Sequence, residues 1–126
     1  MKSAIGIDIV EIKRLATLSK KWGKNFLKKV YTDKELRYAH SKKFPYQHLA
    51  ARFAAKEAIF KALGEVEVDF VGWKNVEVLN NAFGKPQIFW HGQAEKVRKR
   101  RKIQKALVSL SHTENYAVAN VMLIFQ

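Results

Sequence analysis

From Ser3 to Ile9 the chain alternates, with Ile5, Ile7 and Ile9 on one side and Ala4, Gly6 and Asp8 on the other. A period of two predicts a half-buried strand, apolar on its isoleucine side and carrying Asp8 on its less apolar face. The period then changes. Between Glu11 and Trp22 the apolar residues Ile12, Leu15, Leu18 and Trp22 recur at helical spacing, while Lys13, Arg14, Lys20 and Lys21 fall largely elsewhere on the cylinder. Gly23 is a stop signal, and Phe26, Leu27 and Val30 predict a further short helix. Thr32 followed by Glu35 has capping-box spacing for a third helix ending near Ser41.

Pro45 is tolerated in a first helical turn, and Leu49 to Leu63 (LAARFAAKEAIFKAL) holds good helix formers with no Gly or Pro until Gly64. Apolar residues lie around most of its circumference, which predicts a largely enclosed helix. Strand-like segments follow at Val76–Leu79, Gln87–Trp90, Ala106–Ser111 and Tyr116–Phe125, with turns near Gly84, Pro86 and Thr113 to Asn115. A basic helix from about Gln93 to Lys102 interrupts them. No repeat, linker or composition break divides the chain, so residues 1–126 are expected to form a single domain of the α+β class.

Composition narrows the chemistry. With 48% hydrophobic residues over 126 positions a core can form, and no apolar run is long enough to span a membrane. The N-terminus lacks a secretory pattern, so a soluble, cytoplasmic protein is expected. The absence of cysteine excludes disulfides and thiolate metal sites and favours a hard cation held by oxygen. The balance of 24 Lys and Arg against 11 Asp and Glu, a net charge of +13, predicts an acidic partner: nucleic acid, acidic protein or phosphate-rich small molecule.

Glu57 and Lys61 are four residues apart on the long helix. That spacing usually means surface electrostatics, but an unpaired charge in an apolar helix costs several kcal/mol, about enough to require a partner. A cation bound by Glu57 and a phosphate bound by Lys61 would satisfy both, with Asp8 as a second carboxylate. Mg²⁺ commonly takes one or two protein carboxylates and completes its shell with water and substrate phosphate. Asp8, Glu57 and Lys61 are thus a candidate pyrophosphate site.

The opening AIGIDIVEIKR, the central FAAKEAIFKALG, the GKP at Gly84 to Pro86 and the closing SLSHTENYAVA resemble, in order, the motifs of the short bacterial phosphopantetheinyl transferases, the holo-acyl-carrier-protein synthases. The resemblance implies the fold of that family, an antiparallel sheet packed against a long buried helix and shorter helices. It implies transfer of 4'-phosphopantetheine from coenzyme A to a serine of an acidic apo acyl carrier protein, dependent on Mg²⁺. Asp8 and Glu57 match the metal ligands, Lys61 matches a lysine on the coenzyme A phosphates, and Glu57, directly or through a water, is the candidate base. His112 and Arg52 match positions near the nucleotide 3'-phosphate, Gly64 and Pro86 belong to motifs lining the coenzyme A site, and Arg14, with Lys13 and Lys21, lies on the carrier-docking helix. A homotrimer with sites at subunit clefts is also implied. The chain departs from the family after Gly64, where Glu65, Glu67 and Asp69 replace a Gly-containing loop.

The rival reading, a nucleic-acid-binding domain, rests on the net charge and the run KVRKRRK from Lys96 to Lys102, near Phe89 and Trp90. It accounts for the charge and leaves the motifs unexplained.

Overall fold

The computed structural model describes residues 2–64 and 68–126, so the departure at Glu65 and Glu67 lies outside the described residues. Strand β1 (Ser3–Glu11) leads into helices α1 (Ile12–Val30), α2 (Asp33–His40) and α3 (Pro45–Leu63). The short helix α4 (Val68–Val71) and a 3₁₀ turn (Trp73–Asn75) precede the hairpin of β2 (Val76–Asn80) and β3 (Pro86–Trp90). Helix α5 (Gly92–Arg100) and strands β4 (Ile103–His112) and β5 (Tyr116–Phe125) close the chain. Two antiparallel sheets result, β1-β5-β4 and β2-β3, so the chain is α+β.

The central contact is α3 on β1 and β5. Ala54, Ala55 and Ala58 of α3 are fully buried against Ala119, Val121 and Leu123 of β5. Small side chains there let the helix axis come close, and Gly6 of β1 completes the approach: a Cβ at Gly6 would lie 1.9 Å from the carbonyl oxygen of Ala58. The helix therefore covers the side of β1 bearing Ala4, Gly6 and Asp8. This reverses the side of the strand that its isoleucines suggest, since Ile5, Ile7 and Ile9 are each more than 60% exposed. Close packing selects the small residues, and the branched ones are left outward.

The predicted helix ends fall where their chemistry requires. Gly23 adopts φ 65°, ψ −147° inside α1 and breaks it into two helical pieces. Thr32 caps α2: its hydroxyl accepts from the Glu35 amide while the Glu35 carboxylate accepts from the Thr32 amide. On α1, Ile12 and Leu15 are buried as expected but Trp22 is exposed, with the Lys21 ammonium over its ring.

The enclosure of α3 is real, yet the charges it encloses are not those expected. Lys56 and Glu35 form a fully buried ion pair at 2.9 Å. The Lys56 ammonium also donates to the carbonyls of Trp73 and Val76, and Glu35 accepts from the Val78 amide. Every polar atom of this pair is thereby partnered, as burial demands. Lys61, by contrast, keeps 55% of its side chain in solvent.

Candidate active site

Asp8 projects from β1 toward α3, opposite Ala119 in the sheet. Lys61, on the last turn of α3, does not pair with Glu57 along its helix. Its ammonium donates to Asp8 Oδ1 at 3.0 Å and to the Ile7 carbonyl at 3.1 Å. Residues 53 positions apart in sequence are thus joined across the helix–strand contact that Gly6 permits. Glu57, one turn earlier on α3, is half-buried and close enough to feel both charges. Its carboxyl is pushed above the ordinary glutamate value, by burial first and by Asp8 second, while Lys61 draws it part of the way back.

Two oxygen-donor carboxylates, Asp8 raising the cost of ionising Glu57, stand beside one lysine, a set that suits a hard cation with room for phosphate oxygens. Among the described residues no three His, Cys, Asp or Glu side chains gather around one point. Any ion held by Asp8 and Glu57 therefore draws its remaining ligands from water or substrate, which is the ordinary condition of Mg²⁺ at a phosphate.

The other sequence candidates lie at several places in the fold. Gly64 caps α3 at φ 84°, three residues beyond Lys61. Arg52 is 1% exposed; its guanidinium donates to Asn80 Oδ1 and to the His48 carbonyl and lies over the Tyr38 ring at 4.2 Å. His112 ends β4 at 6.3 Å, centroid to centroid, from His48. Pro86 does not join the cluster within one chain. With Lys85 it lines a groove of about 720 Å³ that also touches Ile5, Leu107 and Met122, on the side of the sheet away from α3. Lys13, Arg14 and Lys21 are exposed on α1.

Sequence reasoning missed Lys56, Asn80, Tyr38 and His48. Lys56 precedes Glu57 in the KEA segment and carried no separate mark; Tyr38 and Asn80 come from two further elements, α2 and β2, and His48 from the first turn of α3 itself. In the basic run, Arg98 is held by Glu95 at 2.7 Å and Arg101 donates to the Leu63 carbonyl, so two of its cations tie the fold together. No helix among the described residues is long and apolar enough to cross a membrane.

Residues 4–121 match the model of the 4'-phosphopantetheinyl transferase superfamily. The chain is 44% identical over 118 residues to a holo-[acyl-carrier-protein] synthase of Koribacter versatilis, covering 94% of each protein. Its fold is similar to the crystal structure of the synthase from Neisseria meningitidis, with TM-score 0.88, 35% identity and coverage of 96% of this chain and 97% of that one. An ACPS–CoA complex from Chronobacterium ammoniagenes is also similar, with TM-score 0.86, 30% identity and coverage of 100% and 99%.

Proposed function

This chain belongs to the 4'-phosphopantetheinyl transferase superfamily, and from that premise we propose that it transfers 4'-phosphopantetheine from coenzyme A to a serine of apo acyl carrier protein. The observation that carries the reading is the junction of Asp8, Glu57 and Lys61 across β1 and α3. The serine oxygen attacks the β-phosphorus of the coenzyme A diphosphate. The bond from that phosphorus to the bridging oxygen breaks, and adenosine 3',5'-bisphosphate leaves. Lys61 donates to the diphosphate oxygens and stabilises the charge that collects on the leaving group. Glu57, directly or through a water, accepts the serine proton. Asp8 and Glu57 are the residues that would hold Mg²⁺, which would supply further charge neutralisation at the diphosphate.

The reading extends to assembly. Ile5, Ile7, Ile9, Leu107 and Met122 are all exposed on β1, β4 and β5, an apolar face larger than scattered surface residues require. A second and third copy, packed head to tail in a closed ring, would cover it. The groove at Pro86 opens on that same side, so a neighbour's Asp8, Glu57 and Lys61 together with this groove would complete one coenzyme A cleft. Exposed Lys13, Arg14 and Lys21 on α1 would then steer the acidic carrier toward it.

The test is to mix the protein with apo acyl carrier protein, coenzyme A and Mg²⁺ and to follow the intact mass of the carrier. Native protein should add one phosphopantetheine; Asp8→Ala and Glu57→Ala should add none while keeping native circular dichroism. A carrier left unmodified by the native protein overturns the reading.

A further inference from the structure

The turn between β2 and β3, which leads into Pro86, is closed by its own asparagines. The Asn81 amide donates to the Lys85 carbonyl and the Gly84 amide to the Asn81 carbonyl, both at 2.9 Å. Asn81 Oδ1 accepts from the amides of Phe83 and Lys85, and Gly84 turns the chain at φ 81°. All of these bonds are internal to the turn. Asn80, the last residue of β2 and opposite Pro86 in the ladder, reaches outside it. Its Nδ2 donates to the Gly84 carbonyl at 2.8 Å, and its Oδ1 accepts from Arg52 Nη2 on α3. Among the described residues no other side-chain hydrogen bond joins residues 80–86 to α3. A guanidinium only donates and a carbonyl only accepts, so the group between them must offer an acceptor to one and a donor to the other, as a side-chain amide does. Arg52 is a firm anchor: it is buried, it also donates to the His48 carbonyl, and it stacks on the Tyr38 ring.

We propose that Asn80 is a positioning residue: it ties the Gly84–Pro86 turn to Arg52, so that the part of the coenzyme A cleft each chain lends to its neighbour is set by the lending chain's own α3. The inference rests on the transferase reading and the ring described above. Lys85 and Pro86 line the groove with Ile5, Leu107 and Met122 on the side of the sheet away from α3. Asp8, Glu57 and Lys61 lie instead where α3 meets β1. A turn displaced in one chain therefore changes how the next chain's cleft receives coenzyme A, without moving the groups at the diphosphate. Loss of the tie weakens capture of the substrate and spares the chemical step, which raises KM and leaves kcat in place.

Transfer kinetics of the native protein and two variants test this. Asn80→Ala should raise the KM for coenzyme A about tenfold, with kcat within about twofold of native and unchanged sedimentation. Asn80→Asp keeps the acceptor for Arg52 but loses the donor to Gly84, and should match the alanine variant. Chains carrying Asn80→Ala are then co-produced with differently tagged chains carrying Lys61→Ala, and mixed rings are isolated through both tags. A cleft built from Lys61 of the first chain and the turn of the second is native in every part. At low coenzyme A the mixed rings should therefore transfer at least about fivefold faster per chain than the mean of the two parents. A native KM in Asn80→Asp, a fall in kcat at unchanged KM, or mixed rings no faster than that mean each overturn the assignment and leave the transferase reading standing. So does full transfer by a native monomer. A native protein that transfers nothing overturns the transferase reading and this inference with it.

Discussion

Lys56 and Lys61 sit five residues apart on α3, and solvent treats them in opposite ways. Replacing Lys56 by Met leaves the Glu35 carboxylate buried and uncompensated, which should cost about 3–5 kcal/mol in urea unfolding. Adding Glu35→Gln should recover part of that loss. Lys61→Ala should change stability by less than about 1 kcal/mol, because Lys61 keeps 55% of its side chain in solvent, yet slow transfer about 100-fold by removing the proposed diphosphate donor. The carboxyl of Glu57 offers a separate test. Its pKa is raised by folding, so the folded state binds that proton more tightly than the unfolded chain does. Its contribution is complete below the unfolded pKa and is lost as pH rises through the folded one. Asp8→Asn removes the second cause of the shift and should lower the Glu57 pKa, read from its side-chain carboxyl ¹³C resonance. At this scale the sequence named Asp8, Glu57 and Lys61 as one group, which the structure brings together, and misjudged the burial of Lys61. A helix apolar nearly all round has no visible wet face, so nothing in its spacing separates Lys56 from Lys61.

The joining of two elements decides whether those residues meet. Gly6→Ala would place a methyl against the Ala58 carbonyl and close to the Ala62 amide, both backbone atoms that cannot rotate away. The helix must shift from β1, and overpacking of this kind costs about 1–3 kcal/mol. Because Lys61 and Glu57 move with the helix while Asp8 stays with the strand, transfer should fall more steeply than melting temperature; a variant that loses stability and keeps full transfer would show that the approach is not needed for chemistry. Thr32→Ala should cost about 1 kcal/mol by thermal unfolding through loss of the α2 cap. Such ends were legible because a cap is a local bond written in neighbouring residues, as at Thr32, Glu35, Gly23 and Gly64. The inward side of β1 was not, since it depends on how close a helix 50 residues away can come. The turn at Trp73 escaped for a related reason: its indole stacks on Phe53 at 5.1 Å and meets Phe60 edge-on, contacts that long-range packing alone provides.

In the whole molecule two surface features stand apart, one apolar and one charged. The isoleucine row on β1 was visible in the sequence as a period of two, but whether it faced a core or a second copy depended on where α3 lay. Its exposure now gives the proposed ring a physical cause, since each outward isoleucine removed from water contributes about 1.5–3 kcal/mol. The net charge of +13 works against self-association through mutual repulsion, so the apolar contact must exceed that cost. A carboxylate placed in the contact would be desolvated without a partner and should disrupt it. Ile5→Glu, opposite Met122 in the sheet, lies three residues from Asp8 and on the other face of the strand. It should leave circular dichroism and the Asp8–Lys61 junction intact while shifting sedimentation to the monomer. If the cleft needs two copies, transfer should then fall at least about tenfold and should recover as protein concentration is raised and the ring reforms. Undiminished transfer by a sedimenting monomer would place the whole site within one chain and remove the neighbour from the mechanism.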